Sequence, residues 1–394
     1  MQRRHFLASS LSLPLAGGSA RLLAAPAAAS RLLLVFLRGG YDAASLLVPV
    51  SSDFYYTARP DIALARPSAD RSSALALNAD WGLHPALRES LYPLYRSGEL
   101  AFVPFAGSHD ASRSHFETQD RMELGQPLEG QRDFGSGFLN RLAGVVSGST
   151  PMAFTDQLPA IFQGPARVSN TALRTLTKPA LDARQSDIIA AMYQGTRWSE
   201  PVQQGFAVRN EVVREMAAER DAASRSAISA KGFELEARRI ARLMRDSYRL
   251  CFVDVGGWDT HVAQGAATGY LAARLEELGR GLAALPQEMG PAWRDTTVVV
   301  VSEFGRTLRQ NGNRGTDHGH GSVLWVMGGA VRGGRVVGEQ VAVQPSTLFQ
   351  DRDLPVLNEY RSVLGGLFQR QFGLRAAQLA QVFPGASARD LGLL

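Results

Sequence analysis

Apolar residues gather in five short runs: LLLVFL at 32–37, AFVPF at 101–105, LCFVDV at 250–255, TVVVV at 297–301 and VLWVM at 323–327. Each is five or six residues long, rich in β-branched or aromatic types, and closed by glycine or polar residues. That is the pattern of strands covered on both faces. Between them the spacing becomes helical. Leu271, Leu275, Leu278, Leu282 and Leu285 recur at four-three-four-three, one apolar stripe, and Phe233, Ala237, Ile240 and Leu243 form another. Strands alternating with helices predict an α/β fold with a central, mostly parallel sheet and helices on both faces. Residues 118–200 break the pattern. They are rich in Gly, Pro, Gln and Ser with weak periodicity, and read as an irregular, partly helical insertion over the sheet edge or a site rim. After the loop PSTLFQDRDLPVL, residues 360–372 read as an amphipathic helix that closes the same domain.

The first 29 residues stand apart from this pattern. Arg3 and Arg4 precede Phe6-Leu7, a weakly apolar run follows, and small residues suited to cleavage lead up to Ala29. These are features of a twin-arginine export signal, which predicts a periplasmic or secreted bacterial protein and the twin-arginine export machinery as a partner. It leaves residues 30–394 for the fold. The chain of 394 residues is 45% apolar, enough for a large core. Its net charge of +5 falls to +2 without Arg3, Arg4 and Arg21. No concentrated basic face remains, so nucleic acid is not an expected partner. No later apolar run approaches a membrane span, so none is expected. Cys251 is the only cysteine, which excludes an intrachain disulfide and a thiolate zinc cluster. In its apolar run it reads as a buried structural residue. Any metal site must use carboxylates and imidazoles.

Ionisable residues cluster just past the predicted strands. The first is followed by Arg38, two glycines, Tyr41 and Asp42; the second by AGSHDASRSHFE; the third by GGWDTH; the fourth by SEFGR. In open α/β sheets ligands bind at the carboxyl edge. Asp42, Ser114, His115, Asp259, His261 and Glu303 are therefore expected to converge there. The loop GTDHGHGS at 315–322 would add Asp317, His318 and His320. The metal set drawn from these is Asp42, Asp259, His261, Glu303, Asp317, His318 and His320. Mixed carboxylates and imidazoles favour zinc or manganese, with calcium or magnesium as alternatives. Ser114-x-x-Glu117 fits a helix capping box, and a serine at a helix start faces free N–H groups that favour an oxyanion. Arg38, Arg113 and Arg306 lie beside the proposed ligands and match phosphate or sulfate oxygens, although each equally suits a loop tie. Glu303 likewise suits a plain ion pair with Arg306.

The segments LLLVFLRGGYDAASLLVP, SRSHFETQD, FVDVGGWDTHVAQ, VVVVSEFGRTLRQNG and GTDHGHGSVLWVMGG, in this order, resemble the bacterial domain-of-unknown-function family 1501. The resemblance runs from about Arg31 to the C-terminus. That family is similar to a branch of the alkaline phosphatase and sulfatase superfamily. The resemblance implies a three-layer sandwich of alkaline phosphatase type and metal-assisted hydrolysis of phosphate or sulfate esters, small or polymer-linked. It places Asp42, Asp259, His261 and His318 at metal positions. Glu303-Phe304 stands where the superfamily has Asp-His, and His320 is the candidate replacement for that imidazole. It implies a hydroxyl nucleophile: Ser114 first, with Ser112 and Ser108 as alternatives. His115 joins it as a catalytic candidate, with Arg113 and Arg306 holding the oxyanion. The sulfatase pattern of Cys or Ser followed by x-Pro-x-Arg is absent. A non-catalytic exported binding or assembly protein on the same fold is the alternative.

Overall fold

The computed structural model describes residues 30–173, 183–207 and 232–394; the predicted export signal lies outside them. The strands are β1 (Arg31–Leu37), β2 (Leu47–Pro49), β3 (Leu75–Ala76), β4 (Trp81–Leu83), β5 (Leu100–Gly107), β6 (Pro151–Phe154), β7 (Ser169–Asn170), β8 (Leu250–Val255), β9 (Thr296–Ser302), β10 (Ser322–Met327), β11 (Arg335–Val336) and β12 (Asn358–Glu359). The main sheet has the order β11-β5-β10-β9-β1-β8-β6-β7, and β12 also pairs with β5. β1 lies at its centre, parallel to β8 and β9, with Leu34 opposite Phe252 and Val299. Only β10, among the described strands of this sheet, runs the other way, antiparallel to β9 and β5. β2, β4 and β3 form a small separate antiparallel sheet.

The period of two in β1 explains why it reads as a continuous apolar run. Leu33, Val35 and Leu37 face one core, and Leu32, Leu34 and Phe36 face the other. The first core is covered by the helices Phe233–Asp246 and Tyr270–Met289, whose predicted stripes are buried. The second is covered by Phe138–Val145, Tyr360–Phe372 and Ala376–Val382. The protein is therefore a three-layer α/β sandwich. Cys251 is fully buried within β8. No helix among the described residues is long and apolar enough to cross a membrane.

Residues 118–200 are more regular than their composition suggests. The helices His115–Leu124 and Phe138–Val145 cross this region, and β6 and β7 extend the main sheet beyond β8. At four and two residues, these edge strands are too short to leave a periodic signal.

The direction of β10 decides where the site can form. The carboxyl ends of β1, β5, β8 and β9 all open on one edge. The GTDHGHGS loop precedes its strand, so only a reversed strand brings it to that edge. Two glycines at the end of β1 then allow a tight approach. A Cβ on Gly39 would lie 2.8 Å from the Asp259 amide nitrogen, and one on Gly40 would lie 2.5 Å from the Phe304 ring. Both have positive φ, +122° and +59°.

His84, after β4, ties the small sheet to the loop beyond β8. Its Nδ1 accepts from the Ala86 amide at 3.1 Å, so Nε2 carries the proton and donates to the Ala266 carbonyl at 3.0 Å. Burial pushes its pKa down to about 4. The unfolded chain takes up that proton near its ordinary value of about 6.5. Stability from this residue is thus complete above about pH 6.5 and is lost as pH falls towards 4. Denaturant titrations at pH 7 and pH 4.5 should differ by about 2–3 kcal/mol more in wild type than in His84→Gln. Equal pH slopes in the two proteins would refute the assignment.

Candidate metal centre

Three histidines approach one carboxylate oxygen at the carboxyl edge. His261 Nε2 lies 2.9 Å from Asp259 Oδ1, His318 Nε2 lies 3.3 Å from it, and His115 Nε2 lies 3.5 Å from it. His261 Nε2 and His318 Nε2 face each other at 3.0 Å. The ligand atoms of His115, Asp259 and His318 all fall within 4.8 Å of one another.

Each imidazole is turned by an oxygen on its far side. His115 Nδ1 lies 2.8 Å from Glu303 Oε1, His261 Nδ1 3.2 Å from Asp317 Oδ1, and His318 Nδ1 3.0 Å from the Arg113 carbonyl. A carboxylate or carbonyl oxygen has no hydrogen to give, so each Nδ1 carries the proton. In the neutral rings all three Nε2 lone pairs then point at Asp259. His115 Nε2 is buried and has no hydrogen-bond partner. Lone pairs gathered in this way repel unless positive charge lies among them. Arg306 supplies part of it, with Nη2 on Asp259 Oδ1 and Nη1 3.4 Å from His261 Nε2, and a bound cation would supply the rest. Carboxylate or carbonyl partners behind metal-bound histidines are the recurrent way such sites fix ring orientation. The donor set of three imidazole nitrogens and one carboxylate oxygen fits zinc or manganese better than calcium or magnesium.

The electrostatics agree with these roles. The hydrogen bond to Glu303 raises the pKa of His115 above its ordinary value. Burial lowers that of His318, and the neighbouring His115 and Arg306 lower it further. Burial alone would raise Glu303, but hydrogen bonds from His115, Gln119 and the Gly39 amide hold its carboxyl below the usual range. Asp259 behaves likewise, with Arg306 outweighing burial. The hydrogen bond from Asn311 lowers Asp317.

Four of the seven expected metal residues hold other positions. Asp42 is fully enclosed. Its Oδ2 accepts from Arg59 Nη1 at 2.5 Å, Ser45 Oγ at 2.7 Å and Gln264 Nε2 at 2.7 Å, while Oδ1 accepts from Arg59 Nη2 at 3.0 Å. Its lone pairs are committed, so it is a structural anchor rather than an ion ligand. Burial would raise its pKa, but the Arg59 guanidinium holds it below the usual range. Glu303 and Asp317 meet histidine Nδ1 atoms, on the side of each ring away from Asp259. His320 stacks on Phe349 at 4.5 Å, away from the cluster, and burial pushes its pKa down to about 4. It does not replace an imidazole absent at Phe304, whose ring packs against His115 and His318.

The catalytic candidates divide similarly. Arg306 is buried and bonded to the Gly39, Gly40 and Thr316 carbonyls and to Asp259, so its donors are taken up in tying loops to the cluster. Arg113 donates through Nε and Nη2 to Asp353 Oδ2, at 2.9 and 2.6 Å. Its left-handed backbone, φ +54°, accompanies the carbonyl placed on His318. Arg38 binds Asp254, Gln119 and Glu123. Ser114 caps its helix: Oγ accepts from the Glu117 amide at a long 3.5 Å. Ser112 Oγ is engaged by Asp110 and Thr118, and Ser108 Oγ accepts from the Asp110 amide. Sequence reasoning missed Arg59, Gln264, Gln119 and Asn311. None lies at a strand end with a distinctive neighbour, and their roles exist only through contacts with distant residues.

The fold and this cluster together define a three-layer α/β protein with a candidate cation centre of three histidines and one aspartate. Residues 29–383 match the family described as Protein of unknown function (DUF1501), and the chain belongs to that family. A search of curated proteins finds no match. Among solved structures the chain is similar to a protein in the alkaline phosphatase superfamily from Vibrio parahaemolyticus. The identity is 10%, the TM-score 0.38, and 78% of this chain and 62% of that one are covered. The chain thus spans under two thirds of that protein's length. It is also similar to Ps i-CgsB in complex with k-i-k-neocarrahexaose, at 10% identity and TM-score 0.38, covering 91% of this chain and 74% of that one.

Zinc titration monitored by elemental analysis should give one ion per chain. His115→Ala, His261→Ala and His318→Ala should each weaken binding at least about 100-fold, whereas His320→Gln should leave it within about threefold. Zinc should be released on acidification, as protons compete with the ion for the imidazole nitrogens. Loss of the ion in His320→Gln but not in His318→Ala would overturn the ligand assignment.

Proposed function

We propose that the protein is an exported, metal-dependent hydrolase of phosphate or sulfate esters. The observation that carries this reading is the approach of three Nε2 atoms to Asp259 Oδ1, each ring turned by its own oxygen acceptor. His115, His261, His318 and Asp259 would hold one divalent ion, zinc or manganese first. Such an ion supplies Lewis-acid polarisation of an ester oxygen and lowers the pKa of a nearby hydroxyl or water.

The chain's own groups have separable tasks. Glu303 and Asp317 fix the rings of His115 and His261. Ser114 is the proposed nucleophile. It adjoins His115 at the start of a ten-residue helix, and its only side-chain hydrogen bond among the described residues is the long one to the Glu117 amide. The helix dipole at that end favours the negative charge that develops on the substrate oxygens. Since the donors of Arg113 and Arg306 are taken by the protein's own oxygens, the helix start carries more of that charge than the arginines do. The features of residues 1–29 support export and a periplasmic location.

A second reading keeps the centre but not the chemistry: an exported binding protein. The observation in its favour is that Arg38, Arg113 and Arg306 are all committed to the protein's own oxygens. Assays of aryl phosphates and aryl sulfates with zinc or manganese separate the two. The hydrolase reading expects turnover that falls at least about 100-fold in Ser114→Ala while the ion is retained. Ester binding without turnover in wild type would replace it with the second reading. Turnover unaffected by Ser114→Ala would transfer the nucleophile's role to water.

A further inference from the structure

Gln264 is fully buried and lies outside the cluster, yet one amide group joins the two loops that carry Asp259, His261 and His318 to the segment after β1. Its Nε2 donates to Asp42 Oδ2 at 2.7 Å and lies 3.4 Å from Ser45 Oγ. Its Oε1 accepts from Thr260 Oγ1 and from Thr316 Oγ1, both at 3.1 Å. The orientation is chemically forced, because a carboxylate has only lone pairs to offer and must face the NH2 group.

The two threonines are placed for consequence. Thr260 stands between Asp259 and His261, and Thr316 directly precedes Asp317 and His318. The loops that carry them are already zipped. The Thr316 amide donates to the Thr260 carbonyl at 3.0 Å, and the Gln264 amide donates to the Arg314 carbonyl at 3.1 Å. Those bonds join the loops to each other. Gln264 joins both to Asp42, which Arg59 anchors at the end of β1. An apolar side chain could fill this space, but it could not hold both ligand loops at a set height above the sheet.

We propose that Gln264 is a positioning residue that sets the separation of His261 and His318, and with it the affinity and coordination of the cation. The inference rests on the metal-centre reading and is independent of ester hydrolysis.

The test is titration of the full chain with zinc and with cobalt(II), whose visible bands report coordination. Wild type is compared with Gln264→Leu, Thr316→Val and the double variant, at a temperature where each is folded by circular dichroism. Gln264→Leu is expected to raise the zinc Kd about 10–100-fold and to alter the cobalt spectrum. Thr316→Val, which removes one arm with little change in volume, is expected to shift both in the same direction by less. The double variant is expected to lose no more than Gln264→Leu alone, the non-additivity of one connected unit. A lower melting temperature with unchanged zinc Kd and cobalt spectrum overturns the proposal, because that is what purely structural packing would give. If Gln264→Leu does not fold, Thr316→Val decides alone by the same two readouts. Absence of zinc binding in wild type refutes the metal centre itself, whereas binding in wild type with no change in the variants refutes only the role of Gln264.

Discussion

The buried ion pair between Asp42 and Arg59 is the interaction on which the geometry of the carboxyl edge depends. Both side chains are almost wholly removed from solvent. Burying two charges is costly, and the cost is offset only when every remaining lone pair and proton finds a partner. That condition is met here. Arg59 gives two hydrogen bonds to Asp42 and others to the carbonyls of Thr307 and Leu308, and Ser45 and Gln264 complete the carboxylate. The end of β1, the segment after β9 and the loop after β8 are thereby held by one charge centre. Such a pair is poor evidence for net stability, but it leaves little freedom in how these segments meet.

The acids beyond the strands share a position but not a task, and their surroundings separate them. Asp42 has a permanent cation in Arg59. Glu303 is buried and meets His115, Gln119 and a backbone amide, so it orders a ring rather than presenting an oxygen to the opening. Asp317 receives Asn311 and His261. Asp259 alone among these four points its oxygen at several imidazole nitrogens at once, from a half-exposed position. The charge of Arg306 keeps it ionised while the rings stay close. A centre of this kind depends as much on the groups that hold protons away from it as on the atoms that face it.

Much of the architecture was legible in the sequence because its elements have strong periods. β1, β8 and β9 are buried on both faces and read as unbroken apolar runs. The helix Tyr270–Met289 carries a leucine stripe over its length. The placing of His115, Asp259, His261 and His318 at one edge was legible too, since each follows a strand end or precedes one, but the sequence read His115 as a catalytic group rather than as one of the imidazoles around Asp259. What stayed hidden depends on partners distant in the chain. Asp42 looks like a ligand until Arg59 is seen against it. His320 shares a loop with His318, but the stacking of Phe349 draws it elsewhere, and loop conformation rather than spacing decides which ring faces the centre. β6 and β7 were missed because short edge strands have almost no pattern to read.

The reversed direction of β10 has a consequence for the order in which the molecule assembles. His318 meets the carbonyl of Arg113 across 205 positions of chain. The loop that carries it reaches the edge only when β10 has paired between β5 and β9. Contacts of such long separation form late, because the entropy of closing the chain must be met before they are made. The four groups of the centre therefore cannot come together on a growing chain that stops short of β10. Capture of an ion by the full set would mark a nearly completed fold, and the bound ion would then resist its reopening.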